Sequence, residues 1–487
     1  MNRPIRRVGY AVVVLMLLLV GQLTYLQVVD ADRLANDSRN VRPLLRAYNR
    51  ARGQIITADG QIVAESVPTT GDFKYQRKYP LGPLFAQVSG YQSFVGLVGD
   101  TGVEASYDKV LTGQDLSLRL QDVGGLLDTK SDTNNVVLSI KQSTQQAAAD
   151  ALGGTNGSVV ALDVRSGAVL AMYSNPAYDP NFLAVHDSQV VQTAFNFINS
   201  DESGKSALQR TYREIYAPGS TFKVVTTKSA LETNTATPDT PFPFSSGFDI
   251  PGTDTTLRNF GGGGCGGGTL TDSLVESCNA TFARLGYDMG PAFVPQMDQC
   301  GIHSAIPIDL EPRSAASQGP TVTSEKPRFA LAGIGQGDVF ASPLQMAVVA
   351  AAVANAGVIM EPHVVAEIQD SEGKTIETYS PNAWRTCMSS NTAAALNQMM
   401  LAVVEGGTGA AAQIDGIAVA GKTGTAQVDN ALPHAWFIAF APADNPQYAV
   451  SVVIPNGGSD QDPEVTGGRV AAPIAKQVLM SLLGVQG

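Results

Sequence analysis

The sequence predicts an α/β sandwich in the C-terminal part of the chain, with a sheet completed by strands from distant segments. Three observations carry this. GSVVALDVRSGAVLAMYS alternates like two strands joined at Arg165-Ser166-Gly167. HAWFIAFAP and YAVSVVIPN, near the C-terminus, read as two more strands. Helical patterns lie between and around them: IKQSTQQAAADAL, with alanines and Leu152 on one face, and APIAKQVLMSLLG as a final helix.

Composition bounds the rest. The 487 residues are 44% hydrophobic and 16% charged, enough to bury more than one core. A formal net charge of −12 argues against a nucleic-acid partner, which calls for basic patches. No internal repeat of solenoid or propeller spacing is present. Arg3, Arg6 and Arg7 precede an uncharged run from Val8 to Val29. At 1.5 Å per residue this run is about 33 Å long, enough for one hydrocarbon core. The leading arginines predict a cytoplasmic tail over 1–7, an anchor over 8–29 and an extracytoplasmic remainder. A cleaved signal peptide is the rival, but Val29-Asp30-Ala31 matches a small-x-small site poorly.

After the anchor comes the arginine-dotted stretch LANDSRNVRPLLRAYNRARG. QIITADGQIVAES follows as two short strands around an Asp59-Gly60 turn. Residues 67–135 carry few long helical patterns, and LDTKSDTNN, from Leu127 to Asn135, reads as a boundary loop. This places an N-terminal domain at 30–135 and a second domain at 136–487. The cysteines are Cys265, Cys278, Cys300 and Cys387, none in a CxxC pair and none at zinc-site spacing, so no metal is expected. Around the first two, GGGGCGGGTLTDSLVESCNA is open to several readings: linker, metal site, redox pair or structural staple.

The sharpest chemical signal is YAPGSTFKVVTTKSALE. Pro218-Gly219 breaks the chain, a helical run begins at about Ser220, and Ser220 and Lys223 project from one side of it, a turn apart. A serine hydroxyl needs a base, and a lysine can be one only when desolvation or a neighbouring cation lowers its pKa. A helix N-terminus also aims free N–H groups at a developing oxyanion. Alone, SxxK is weak and more often a solvated helix face. Ser277-Cys278-Asn279 and Lys422-Thr423-Gly424-Thr425 then follow in that order, the latter after a strand-like run. SxxK, SxN and KTG in sequence are the three signatures of serine penicillin-binding proteins and serine β-lactamases.

On these motifs the chain resembles the class B penicillin-binding proteins, on the actinobacterial side of that family. The likeness covers almost the whole chain. ARGQIITADGQIVAES is similar to the RGxIxDxxGxxLA box of the family's N-terminal regions, SVVALDVRSGAVLAMYSNPAYDPN looks like the start of its transpeptidase domain, and GTG at Gly407–Gly409, KTGTAQ and HAWFIAFAP complete the match. In IGQGDVFASPLQMA, Ser342 stands where the family usually has Thr. The resemblance implies the penicillin-binding/serine β-lactamase-like fold: an antiparallel sheet flanked by helices, an all-helical subdomain, and a mostly β N-terminal pedestal behind one transmembrane helix. It implies a peptidoglycan D,D-transpeptidase that needs no cofactor or metal.

Residue by residue, Ser220 is the expected nucleophile and Lys223 its base, kept partly neutral by burial and by Lys422. Ser277 is expected to relay the proton to the leaving amine. Asn279 is expected to bind the substrate amide and orient Lys223. Lys422 supplies positive potential for the substrate carboxylate, which Thr423 and Thr425 contact through their hydroxyls. Backbone N–H groups of Ser220 and Thr425 form the oxyanion hole, and Gly424 lets the substrate strand approach. The implied partners are stem peptides, β-lactams, a SEDS-type lipid II polymerase and other elongation or division proteins. In the family the SxN motif lies on a loop between helices of the helical subdomain, facing the serine turn. A Cys265–Cys278 disulfide is therefore expected, against a free buried Cys278 or a redox cysteine. Cys300 and Cys387 have only an even count in favour of pairing.

Rival readings are a β-lactamase, which needs a deacylating base whose class A motif is missing, a D,D-carboxypeptidase with water as acceptor, and a non-catalytic β-lactam-binding scaffold. Trp436 and Phe437 read as core strand residues, His434 as solvent-facing, Met399, Met400 and Met480 as core filler, and Asp460, Asp462 and Glu464 as an exposed acidic loop.

Overall fold

The computed structural model describes residues 2–30, 33, 48–71, 73–95, 101–115, 133–428, 431–457 and 466–485. The acidic stretch at Asp460, Asp462 and Glu464 lies outside them, as do most of the boundary loop and much of the arginine-dotted stretch. Arg3–Val29 is a single helix of 27 residues, wholly unburied by protein and long and apolar enough to cross a membrane.

The five-stranded sheet is antiparallel throughout. Its strands run Ala420–Val428, Ala431–Ala441, Tyr448–Ile454, Gly157–Asp163 and Val169–Asn175 from one edge to the other. Near-continuous burial along the middle strands follows from helices on both faces. Gln142–Leu152 and Ala472–Leu483 pack on each other over one face, and Pro343–Ala354 covers the other. Pro343–Ala354 is buried all round, and Ser342 caps it by accepting the Gln345 N–H at 3.1 Å.

A second sheet of six strands ties the N-terminal region to the rest. Ile55–Ile56 and Ile62–Pro68 form the hairpin expected around Asp59-Gly60, with Gly60 at φ +80°. Tyr75–Lys78 extends it on one side. On the other, Ile55–Ile56 runs parallel to Asn135–Leu138, which continues to Val365–Gln369 and Thr375–Thr378. The boundary expected at 135/136 falls inside the strand Asn135–Leu138, so the two regions share a sheet.

Under that sheet lies a buried charge cluster. Glu104 receives Arg77 at 2.6 Å and Arg52 at 2.9 Å, while Arg52 also reaches Asp108 at 2.6 Å. Burial pushes the Glu104 carboxyl up, but the two guanidiniums outweigh it and hold the group below its ordinary value.

The helical subdomain centres on Lys223–Glu232, whose first eight residues are all buried. It packs on Asn279–Met289, Phe293–Gln299 and Ser390–Gly406. Asn279–Met289 and Lys326–Gly333 cross at glycines. A Cβ on Gly286 would stand 2.1 Å from the Phe329 carbonyl, and one on Gly333 would stand 2.2 Å from that of Phe282.

Candidate active site

Where the sheet meets the helical subdomain there is a cavity of about 1040 Å³, lined by Ser220, Ser277, Asn279, Thr423 and Thr425 among others. The three sequence motifs, far apart in the chain, converge on it.

Ser220 sits in the 3-10 turn Gly219–Phe222, and the α-helix begins only at Lys223. The helix start expected at Ser220 is therefore one tight turn late. In 3-10 geometry residues three apart eclipse, so Ser220 and Lys223 are stacked more directly than an α-helix would place them. Gly219 takes φ +53°, and a Cβ there would meet the Thr425 carbonyl at 2.7 Å. The turn is pressed against the motif strand, and only glycine satisfies both demands. Trp436, fully buried on the neighbouring strand, donates its indole N–H to the Ala217 carbonyl at 3.0 Å and steadies the approach to the turn.

Lys223 is fully buried. Its Nζ lies 2.7 Å from the Ser277 carbonyl, 2.8 Å from Asn279 Oδ1 and 3.4 Å from Ser277 Oγ. Ser220 is not among its hydrogen-bond partners. Burial, and then the Lys422 cation, hold Lys223 well below the ordinary lysine value. Lys422 is also fully buried, and burial pushes it down to about 7. Its Nζ donates to Ser277 Oγ at 2.8 Å and reaches the Thr423 carbonyl at 3.1 Å.

Ser277 joins the two lysines and is held in a costly backbone state, φ +63°, which a residue with a Cβ rarely adopts. It lies between the helices Leu270–Val275 and Asn279–Met289. The capping box of Thr269 and Asp272 fixes the first of these. Asn279 gives its Nδ2 to the Arg258 carbonyl at 2.9 Å, leaving Oδ1 for Lys223.

Ala420–Val428 is an edge strand, with Thr423, Thr425 and Gln427 lining the cavity at alternate positions. Gly424 is corrected in its expected role. A Cβ there would meet the Pro218 carbonyl at 2.8 Å and Thr221 Cγ2 and Trp436 Cβ at 2.9 Å. Its missing side chain admits the serine turn, not a substrate strand. His434 is corrected as well. It is 9% exposed, its Nδ1 accepts the Asn456 N–H at 3.1 Å, its ring meets Tyr216 edge-on, and burial pushes it down to about 4.

Cys265 and Cys278 stand with their sulfurs 2.09 Å apart, and Cys300 and Cys387 are likewise at bonding distance, 1.91 Å. The first pair clamps the cavity wall formed by residues 261–265 to the Ser277 loop.

Sequence reasoning missed two contributors. Thr408, in the GTG triplet, places its hydroxyl 2.8 Å from that of Thr423. Gly467 lies so close to the motif strand that a Cβ would be 2.5 Å from the Gly424 carbonyl. The triplet was visible as a motif, but nothing local in the sequence marks the closeness at Gly467.

The comparisons with known proteins agree with this geometry. The penicillin binding protein transpeptidase domain model matches residues 157–480, and the penicillin binding protein A dimerisation domain model matches 52–137. The peptidoglycan D,D-transpeptidase PbpA of Mycolicibacterium smegmatis is 40% identical over 502 residues, covering 99% of each chain. That of Mycobacterium tuberculosis is 36% identical over 511 residues, with 99% of each covered. The ceftriaxone acyl-enzyme structure of penicillin-binding protein A from M. tuberculosis superposes with a TM-score of 0.81 at 34% identity, over 90% of this chain and all of that one. With its three motifs gathered in one cavity and relatives of this extent, the chain belongs to the penicillin-binding protein transpeptidase family.

Proposed function

We propose that the chain is a membrane-anchored peptidoglycan D,D-transpeptidase that works through a Ser220 acyl-enzyme and is acylated by β-lactams. One observation carries the residue assignment: two fully buried lysines from separate motifs flank the Ser277 hydroxyl in the cavity that holds Ser220.

The chemistry follows from donors and acceptors. The Ser277 carbonyl and Asn279 Oδ1 only accept, so they engage two Lys223 hydrogens. A neutral amine has no others, which leaves its lone pair to take the Ser220 proton. Burial and the Lys422 cation favour that neutral state. Ser220 Oγ attacks the carbonyl of the penultimate D-Ala. The oxyanion is met by the N–H groups of Ser220 and Thr425, and collapse breaks the peptide bond. Ser277 passes its proton to the leaving D-Ala amine and takes in its place the one that Lys223 received from Ser220. Lys422, Thr423 and Thr425 hold the terminal carboxylate. An amine of a neighbouring stem then attacks the ester and gives its proton to the same Lys223 and Ser277 groups, which pass it to Ser220 Oγ as the ester bond breaks, so that Ser220 is regenerated with a cross-link made.

In this reading residues 1–7 are cytoplasmic, 8–29 form the anchor, and 30–135 are a pedestal fused to the catalytic region 136–487 through the shared sheet. The arginines ahead of the apolar run support the orientation. The pedestal is the proposed dock for a SEDS-type lipid II polymerase, whose glycan strands would be cross-linked, alongside other elongation or division proteins. Substitutions in the 36–66 stretch, assayed for polymerase association, test the dock.

The activity is tested by incubating full-length protein with lipid II and a cognate polymerase. Cross-linked dimer and free D-Ala are expected from the wild type and neither from Ser220→Ala. Free D-Ala without dimer would contradict transpeptidation.

A further inference from the structure

Arg258 lies at the mouth of the same cavity and has no role in the mechanism above. It ends the short strand Thr256–Arg258, is exposed, and lines the cavity. Its backbone is held firmly. The Arg258 carbonyl accepts Asn279 Nδ2 at 2.9 Å, and the strand pairs with Gly247–Asp249. The next residue, Asn259, accepts the Ala280 N–H at 3.0 Å and donates to the carbonyls of Ser245 and Gly263 at 2.7 and 3.1 Å.

The guanidinium, by contrast, makes no hydrogen bond or ion pair with any described residue. The other charged groups of the site do not compensate it. Lys223 and Lys422 are fully buried behind Ser277 and carry no negative charge that could pair with it. Glu276, the one carboxylate among the described lining residues, accepts the Gly266 N–H at 3.1 Å and forms no ion pair with Arg258. Arg258 is therefore a permanent cation, anchored by its backbone and open to an incoming anion. A guanidinium presents a planar fork of donors that matches a carboxylate.

We propose that Arg258 is a specificity-determining residue that binds a free side-chain carboxylate of the donor stem peptide, on an acidic residue upstream of its D-alanyl-D-alanine end. This rests on the transpeptidase reading above. In that reading the terminal carboxylate goes to Lys422, Thr423 and Thr425, and Asn279, expected from the sequence to bind the upstream amide, has one Nδ2 hydrogen left for it beside the one given to the Arg258 carbonyl. A stem held by Asn279 passes next to the residue whose carbonyl Asn279 itself grips. The two ends of the donor are then recognised by different cations, and Arg258 distinguishes an acidic stem residue from its amidated form. An exposed guanidinium–carboxylate pair discriminates by about fivefold, and salt screens it.

The test uses the full chain in detergent and two synthetic thioester donors that differ only in a carboxylate or a carboxamide at the upstream residue. Ser220 acylation is followed by intact-protein mass spectrometry. The ratio of the two rates is the readout, so a partial loss of folded protein cancels. The wild type is expected to prefer the carboxylate donor about fivefold at low salt, with the preference shrinking as salt rises. Arg258→Gln should bring the ratio to about one, and Arg258→Lys should keep part of it. A wild-type ratio near one, or a ratio unchanged in Arg258→Gln, overturns the proposal. Benzylpenicillin on the wild type separates the two claims. A Ser220 adduct with no donor preference sinks the Arg258 role alone, and no adduct sinks the transpeptidase reading along with it.

Discussion

Lys223 and Lys422, both fully buried, point at one hydroxyl from opposite motifs: their Nζ atoms lie 3.4 and 2.8 Å from Ser277 Oγ. Among the described residues no carboxylate pairs with either; burial drives each toward its neutral form, and the Lys422 cation adds to that at Lys223. The pH dependence of acylation follows.

Acylation needs Lys223 neutral. Its rate should fall as pH drops through the folded-state Lys223 pKa, which lies well below 10.5. Burial is the larger cause and the Lys422 cation the second. Lys422→Gln removes only the second, so the acid limb should move to higher pH without reaching the ordinary lysine value. Benzylpenicillin acylation rates measured from pH 5 to 10 check this. A limb that stays in place or moves to lower pH would show that Lys422 does not act on Lys223.

Ser277 combines a bridging hydroxyl with a left-handed backbone. Ser277→Gly loses the hydroxyl and relieves the backbone, whereas Ser277→Ala loses the hydroxyl and keeps the strain. Both should acylate about a hundredfold or more slower, the cost of losing a positioned proton-transfer group. In thermal unfolding the glycine variant should be the more stable by about 1 kcal/mol. Equal acylation by wild type and both variants would remove Ser277 from the chemistry.

Gly424→Ala places a methyl against the Pro218 carbonyl, Thr221 and Trp436. Because two of those three partners belong to the serine turn, the variant should lose stability by about 1–3 kcal/mol, as overpacked sites do. It should also slow acylation by about tenfold or more, the order expected for a nucleophile displaced by a fraction of an ångström. Stability loss with an unchanged acylation rate would mean that the turn adjusts without moving Ser220.

The Glu104 cluster predicts a stability effect far from the site. Glu104→Gln leaves the buried Arg77 without its counter-charge and Arg52 with Asp108 alone, at a cost of about 3–5 kcal/mol. The native carboxyl titrates below its unfolded value of 4.5. Its contribution is therefore present above that pH and lost as pH falls through the folded pKa. Melting temperatures of the wild type should drop across that acid window, and those of Glu104→Gln should drop less.

The motifs, the Asp59-Gly60 hairpin, the strands of the five-stranded sheet and the helices Gln142–Leu152 and Ala472–Leu483 were legible because their signals are local: alternation, a helix break at Pro218-Gly219, and nucleophile and base one turn apart. The serine turn, the SxN loop and the KTG strand all meet where the family resemblance implied. What stayed hidden depends on segments distant in the chain. Val365–Gln369 joins the N-terminal sheet through a pairing that no local pattern encodes. His434 has the composition of a surface residue but is covered by Tyr216 and the Asn456 backbone. The need for glycine is a matter of space, set at 424 by Pro218, Thr221 and Trp436 and at 467 by the Trp436 carbonyl and the Gly424 backbone.

The cysteine-bearing glycine run is the intermediate case. The sequence alone left four readings open, and the structure sets Cys265 beside Cys278. Closing a loop of that length contributes roughly 3 kcal/mol by chain entropy. Thiol labelling of native protein should find neither cysteine free, and Cys265→Ser should melt lower and acylate more slowly.

The most direct measurement is intact-protein and peptide mass spectrometry after exposure to benzylpenicillin. A single penicilloyl adduct on Ser220 is expected, and none in Ser220→Ala. An adduct on any other residue, or none on the folded wild type, would contradict it.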